Sequence, residues 1–181
     1  MQRALLVLLG GLTLAALPFW AVGAEPVGGN IDLGSDGQLA AEGIAHILED
    51  TPDNRLVLER MARAIERSDR LRRQLISRTS GRELPEVLRE LNQLQARLQG
   101  QLNRLAALAL DRAVSSAQVS AGSFRADVPF ARQLVFVVAQ NDRRVGWWLQ
   151  GSLPGLTIDL GRENALAVRE LTPPPAEEPS R

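Results

Sequence analysis

QLVFVVAQNDRRVGWWLQ, from Gln133 to Gln150, is the stretch on which the fold turns. Leu134, Phe136 and Val138 fall on one face of an extended chain, and Val135 and Val137 on the other. A strand that is apolar on both faces is one covered on both sides. Asn141-Asp142 supplies a turn, and Val145–Gln150 returns as the partner strand of a hairpin. Alternation then sends Trp147 and Trp148 to opposite faces. One face of this sheet can take helices, whereas the other needs a second sheet or a second protomer.

Downstream, GSLPG (151–155) reads as a turn, and Leu156, Ile158 and Leu160 alternate with Thr157 and Asp159 as a half-buried strand does. After a turn at Gly161–Asn164, Ala165–Leu171 reads either as the last strand of a four-stranded antiparallel meander or as a helix. Thr172–Arg181, with four Pro and two Glu, reads as a disordered tail.

Upstream of the hairpin the periodicity changes. Ser115–Asp127 is rich in Ser, Ala and Gly and reads as a helix end and linker. Leu84, Leu91, Leu98 and Leu105 recur every seventh residue, with Leu88, Gln95, Leu102 and Ala109 on the neighbouring seam, so the spacing predicts a helix from Pro85 to at least Arg112. Gln95 interrupts that seam, and Leu94 stands beside it. A second stripe through Val57, Met61, Ala64, Ser68, Leu71 and Leu75, widened by Leu58 and Ile65, predicts a helix entered at Thr51-Pro52-Asp53, three successive start signals. Thr79-Ser80-Gly81 breaks the two apart. A connection of about six residues makes them antiparallel neighbours. Arg60, Arg63, Arg67 and Arg70 form a basic stripe, but Glu59, Glu66 and Asp69 each stand four residues ahead of an Arg, the pattern of a solvated face.

Nearer the N-terminus, Ser35 and Gln38 fit a capping box for a short helix carrying Leu39, Ile44, His46, Ile47 and Leu48. Glu25–Gly34 is Gly-rich and reads as a flexible lead. Met1-Gln2-Arg3, the uncharged run Ala4–Trp20 and the small residues Val22-Gly23-Ala24 have the layout of a cleaved signal peptide, with a retained anchor as the alternative.

These readings combine into an α+β chain: a short N-terminal helix, a long antiparallel helical hairpin and a small C-terminal antiparallel sheet. Its expected segments are a signal peptide (1–24), a flexible lead (25–34), a helical region (35–120) with the hairpin at 52–112, a β-rich region packed on the helices (128–171) and the disordered tail (172–181). Cleavage after Ala24 leaves 181 − 24 = 157 residues, the size of one domain. The expected location is periplasmic or secreted.

Composition narrows the function. The chain has no Cys, and all 21 of its basic residues are Arg. Without Arg3 the mature chain has 20 Arg against 21 acids, so its net charge predicts neither nucleic-acid binding nor attraction to anionic lipid, and membrane contact enters only as a peripheral or anchor role. Export and the break between the arginine stripe and the leucine heptads both exclude a basic-region zipper. No thiolate metal site is available, His46 stands alone, and the Asp32–Gly43 stretch fails as a calcium loop where Gly34 and Gly43 replace ligands. Ser35 and Ser152 lie outside any Gly-x-Ser-x-Gly elbow, and Asp127, Asp142, Asp159 and Glu163 are the only carboxylates of the strand region suited to acid–base work. No cofactor or metal is predicted, and no enzymatic activity.

The expectation is an exported, non-catalytic protein that acts by protein–protein association or self-association through the helical hairpin. Its expected interaction surface comprises Leu58, Ile65, Leu94, Gln95, Leu98, Leu105, Trp147 and Trp148. The alternative is a glycan- or lipid-binding module that uses Trp147 or Trp148.

Overall fold

The structure is a computed structural model that describes residues 25–34, 41–77, 84–129, 131–153 and 155–171. QLVFVVAQ forms the middle strand of a five-stranded antiparallel sheet, β5 (Gln133–Gln140). On one side β5 pairs with β2 (Glu42–Glu49), which pairs in turn with β3 (Ser115–Val119). On the other it pairs with β6 (Arg144–Ser152), followed at the edge by β8 (Ala167–Glu170). A second sheet has β1 (Glu25–Ile31) at its centre, antiparallel to β4 (Ser123–Val128) and parallel to β7 (Thr157–Leu160). Two helices, α1 (Pro52–Ser77) and α2 (Leu84–Arg112), complete the described elements.

Three layers result, with the five-stranded sheet in the middle. Val135, Val137, Ala45, Ile47 and Trp148 point toward the small sheet and pack with Val27, Ile31, Phe124, Val128 and Leu160. Leu134, Phe136, Leu48 and Trp147 point the other way, against Leu58, Ala62 and Ile65 of α1 and Leu98, Leu102, Leu105 and Ala109 of α2. The two faces of QLVFVVAQ thus belong to two cores. The cover that its sequence demands comes from within one chain.

This architecture overturns the expected fold class. The larger sheet is not a small C-terminal addition to a helical region, since two of its five strands lie before residue 120. Glu42–Glu49 is a strand where a short helix was expected. Burial of both faces over Ala45–Leu48 removes the polar–apolar alternation there, and Ile44, Ile47 and Leu48 then mimic helical spacing. The expected lead at 25–34 contains the central strand β1. Gly29 looks like flexibility in the sequence, but a Cβ there would overlap the Phe124 ring. The residue is small because the inter-sheet core is tight.

Residues 115–127, read as helix end and linker, hold β3 and most of β4. A two-residue turn joins them, with Ala121 and Gly122 both at positive φ and Ser120 and Ser123 exchanging backbone hydrogen bonds of 2.9 and 3.0 Å. This turn carries the chain from one sheet to the other. The expected four-stranded meander is also corrected: β7 leaves it to pair with β1, and β8 returns to the edge of β6. The expected signal peptide and tail lie outside the described residues, as do the Ser35–Gln38 capping box and the expected break at Thr79-Ser80-Gly81. No described helix is long and apolar enough to cross a membrane.

Candidate functional site: the projecting helix pair

α1 starts at the expected cap, where the Thr51 hydroxyl accepts a hydrogen bond from the Asn54 backbone N–H at 3.2 Å. It runs antiparallel to α2. Arg112 donates to Asn54 at one end of the pair (2.7 Å), and Ser68 donates to Gln101 further along (2.7 Å). The Val114 N–H donates to the Ile47 carbonyl, which anchors the end of α2 at β2. Some distance back along α2, Gln99 accepts a hydrogen bond from Arg169 on the edge strand β8. α2 therefore crosses the sheet in strand order, from β2 to β8.

The dimensions agree with that path. Three strand spacings separate β2 from β8, about 14 Å, and the ten residues from Ala109 to Gln99 rise about 15 Å. Fifteen residues of α2 precede Gln99, a further length of about 22 Å. On α1, Ile65 is the last residue of the sheet-facing core, and the twelve residues after it extend for about 18 Å. Roughly half of the helix pair thus projects past the β8 edge as an arm.

Inside the arm, Leu75 and Val87 are buried. Asp69 is buried as well and holds Arg72 at 3.1 Å and Arg73 at 3.0 Å. The stripes that face the sheet continue outward past β8, the last described strand on that side. Ile76 lies eleven residues, about three turns, beyond Ile65, and Leu88 lies eleven residues before Gln99. Each therefore points to the sheet side, past the sheet. They are 48% and 50% exposed, and Leu71 on α1 is 46% exposed.

Beneath the arm lies the outer edge of β8, which pairs with no other described strand. Leu171 N–H donates to the Arg143 carbonyl just before β6, and with the register Arg144↔Glu170 this sets the hydrogen-bonded pairs at residues 167, 169 and 171. The N–H and carbonyl groups of Val168 and Glu170 consequently point outward from the sheet.

The expected surface residues are distributed differently. Leu58, Ile65, Leu98 and Leu105 are fully or almost fully buried and form the helix–sheet core; Leu94 is half-buried and Gln95 exposed on the arm. Trp147 packs under the helices, and Trp148 is enclosed between the sheets with its indole N–H donating to the Gly161 carbonyl at 2.8 Å. Neither indole has a free face for a sugar ring or a lipid headgroup. The residues that the sequence reading missed are Ile76, Leu88 and the edge of β8. Their signal was present in the stripes, which run longer than any sheet of ordinary width can cover.

The remaining chemistry is sparse. His46 sits on β2, stacked on Phe136 with 6.3 Å between ring centroids, and its Nδ1 lies 2.9 Å from the Ser116 hydroxyl. Burial holds its pKa below the usual histidine value. Asp32 accepts a bond from the Gly34 N–H, and Asp159 one from Asn30. Among the described residues no three His, Cys, Asp or Glu side chains group as metal ligands. A recess of about 550 Å³ lies where Gly28 presents no side chain between its register partners Arg125 and Thr157. No nucleophile–base pair lines it. No family model matches the chain, and neither a curated protein nor a solved structure matches it.

Proposed function

We propose that this chain is an exported, non-catalytic association module whose working surface is the projecting arm of its helix pair. The observation that carries the reading is the exposure of Leu88 at about half its surface, on a helix whose residues Leu98, Leu102 and Leu105 are fully buried where the sheet lies beneath them. Apolar side chains continued beyond their own core mark a surface that another molecule covers. The signal-peptide layout of residues 1–24 supports export, and the protein is expected to begin at Glu25 when isolated from the cell envelope or medium.

In-cell photo-cross-linking tests the surface. A photoreactive residue in place of Leu88 is expected to give adducts of discrete mass, while the same residue in place of Leu156, exposed on the opposite layer, gives none. Equal labelling from both positions, or none from Leu88, would overturn the assignment.

A further inference from the structure

The outer face of the small sheet carries a recess of about 550 Å³, and we infer that it binds a small hydroxylated carboxylate, a sugar acid, through Arg125. The inference goes beyond the association reading and concerns the layer farthest from the helices. Val27, Gly29 and Ile31 are buried toward the middle sheet, so Pro26, Gly28 and Asn30 face outward, with Arg125 and Thr157 level with Gly28 on either side. At Gly29 a Cβ would overlap the Phe124 ring, but at Gly28 it would meet only the Phe124 carbonyl, at 3.2 Å, which a shift of a few tenths of an ångström relieves. Gly28 has no positive φ either. Neither packing nor conformation demands a glycine there, and what its bareness produces is a gap between Arg125 and Thr157, two strand spacings or about 10 Å wide. The recess falls in the size range of small-molecule sites, about 300–1,000 Å³.

The lining defines the ligand. Arg125 is its only charged side chain, and Asn30, Gln118, Ser120, Ser123 and Thr157 supply amides and hydroxyls. Two acids stand just outside it on the same face: Asp127, two residues along β4 from Arg125, and Asp159, which accepts a hydrogen bond from the Asn30 amide at 3.2 Å. One guanidinium with two carboxylates nearby does not attract anions at large, so inorganic phosphate or sulfate fits poorly. A single carboxylate can still take two parallel N–H groups of the Arg125 fork. The body of such a ligand must then carry hydroxyl groups, which donate to the side-chain oxygens of Asn30, Asp127 or Asp159 and accept from the Gln118 amide and the Thr157 hydroxyl. A pyranose ring with one carboxylate offers both, and its C–H face rests on the β1 backbone that Gly28 leaves bare.

Saturation-transfer NMR on the protein as isolated from the cell tests the site, with D-glucuronate at millimolar concentration as the probe. Glucuronate is expected to bind at least tenfold more tightly than D-glucose, which lacks the carboxylate, and than propionate, which lacks the hydroxyls. Arg125→Gln is expected to weaken it at least tenfold while leaving the urea midpoint in place, because the side chain is exposed and outside both cores. Gly28→Val, which fills the recess, is expected to abolish binding. Arg143→Gln, an exposed arginine on the turn between β5 and β6, is expected to change it less than twofold. No transfer from glucuronate, equal binding of glucose or propionate, or full binding by Arg125→Gln overturns the proposal. Tighter binding of L-glutamate than of glucuronate also overturns it, since the ligand would then be a zwitterion that uses the flanking acids. None of these results touches the cross-linking from Leu88, so the recess and the helix arm stand or fall separately.

Discussion

His46 is the only histidine of the chain, and its setting gives it a pH signature. It is 9% exposed, stacked on Phe136 and bonded to Ser116, and burial lowers its pKa from 6.5. The neutral ring is therefore favoured in the folded state. Above pH 6.5 both folded and unfolded chains hold it neutral and its contribution to stability is complete; as the pH falls through the folded pKa, the unfolded chain binds the proton first and that contribution is lost. His46→Asn is expected to lose less stability than the parent between pH 7 and pH 5, read from urea midpoints at each pH. Parallel curves for the two proteins would refute this. Gly43, three residues away, shows a different constraint: a Cβ there would overlap the Val138 carbonyl, so the crossing of β2 and β5 depends on a residue with no side chain.

At the scale of elements, the helix pair shows how a polar residue in an apolar seam is used. Ser68 and Gln95 both interrupt their stripes, but Ser68 takes Gln101 as its partner and Gln95 stays exposed. The reason is geometric. Antiparallel packing places Ser68 opposite Gln101, as it places Asn54 opposite Arg112. Ser68→Ala is expected to cost about 1 kcal/mol, because the half-buried Gln101 acceptor loses its donor. A double-mutant cycle with Gln101→Ala, followed by urea unfolding, checks it: strict additivity would mean that the bond contributes nothing. The arginine stripe on α1 conforms to the acid-first pattern at Glu59–Arg63 (3.0 Å) and Asp69–Arg73 (3.0 Å). Solvent screens the exposed Glu59–Arg63 pair, which contributes little, whereas Asp69 is buried and its charge is balanced by Arg72 and Arg73 together.

Across the whole molecule, the middle sheet belongs to both cores, and this joins the layers into one cooperative unit. Trp147 reports on the helix side and Trp148 on the small-sheet side. Far-UV circular dichroism and tryptophan fluorescence are expected to give coincident urea transitions. Ile65→Ala in the helix layer and Val27→Ala in the small-sheet layer are each expected to lower that shared midpoint, with a loss of stability of about 2–5 kcal/mol for Ile65→Ala and somewhat less for the smaller Val27. Two separated transitions in either variant would show that the layers fold independently.

Local physics alone determined much of this molecule: the two helices, the first with its start at Thr51-Pro52; the hairpin of β5 and β6; the opposite facing of Trp147 and Trp148; and the need for cover on both sides of QLVFVVAQ. Each of these rests on periodicity or capping within a few residues, which a sequence displays directly. Only the tertiary structure decided that β1 and β2 are strands, because β1 pairs with residues about a hundred or more positions away and β2 with residues about seventy to a hundred away. Their local patterns are masked by tight glycines in one and two buried faces in the other. It also decided how far the helices extend past the described strands. The width of the sheet fixes where the helices cease to have a floor, and that width is a sum of non-local pairings that no stretch of the chain records.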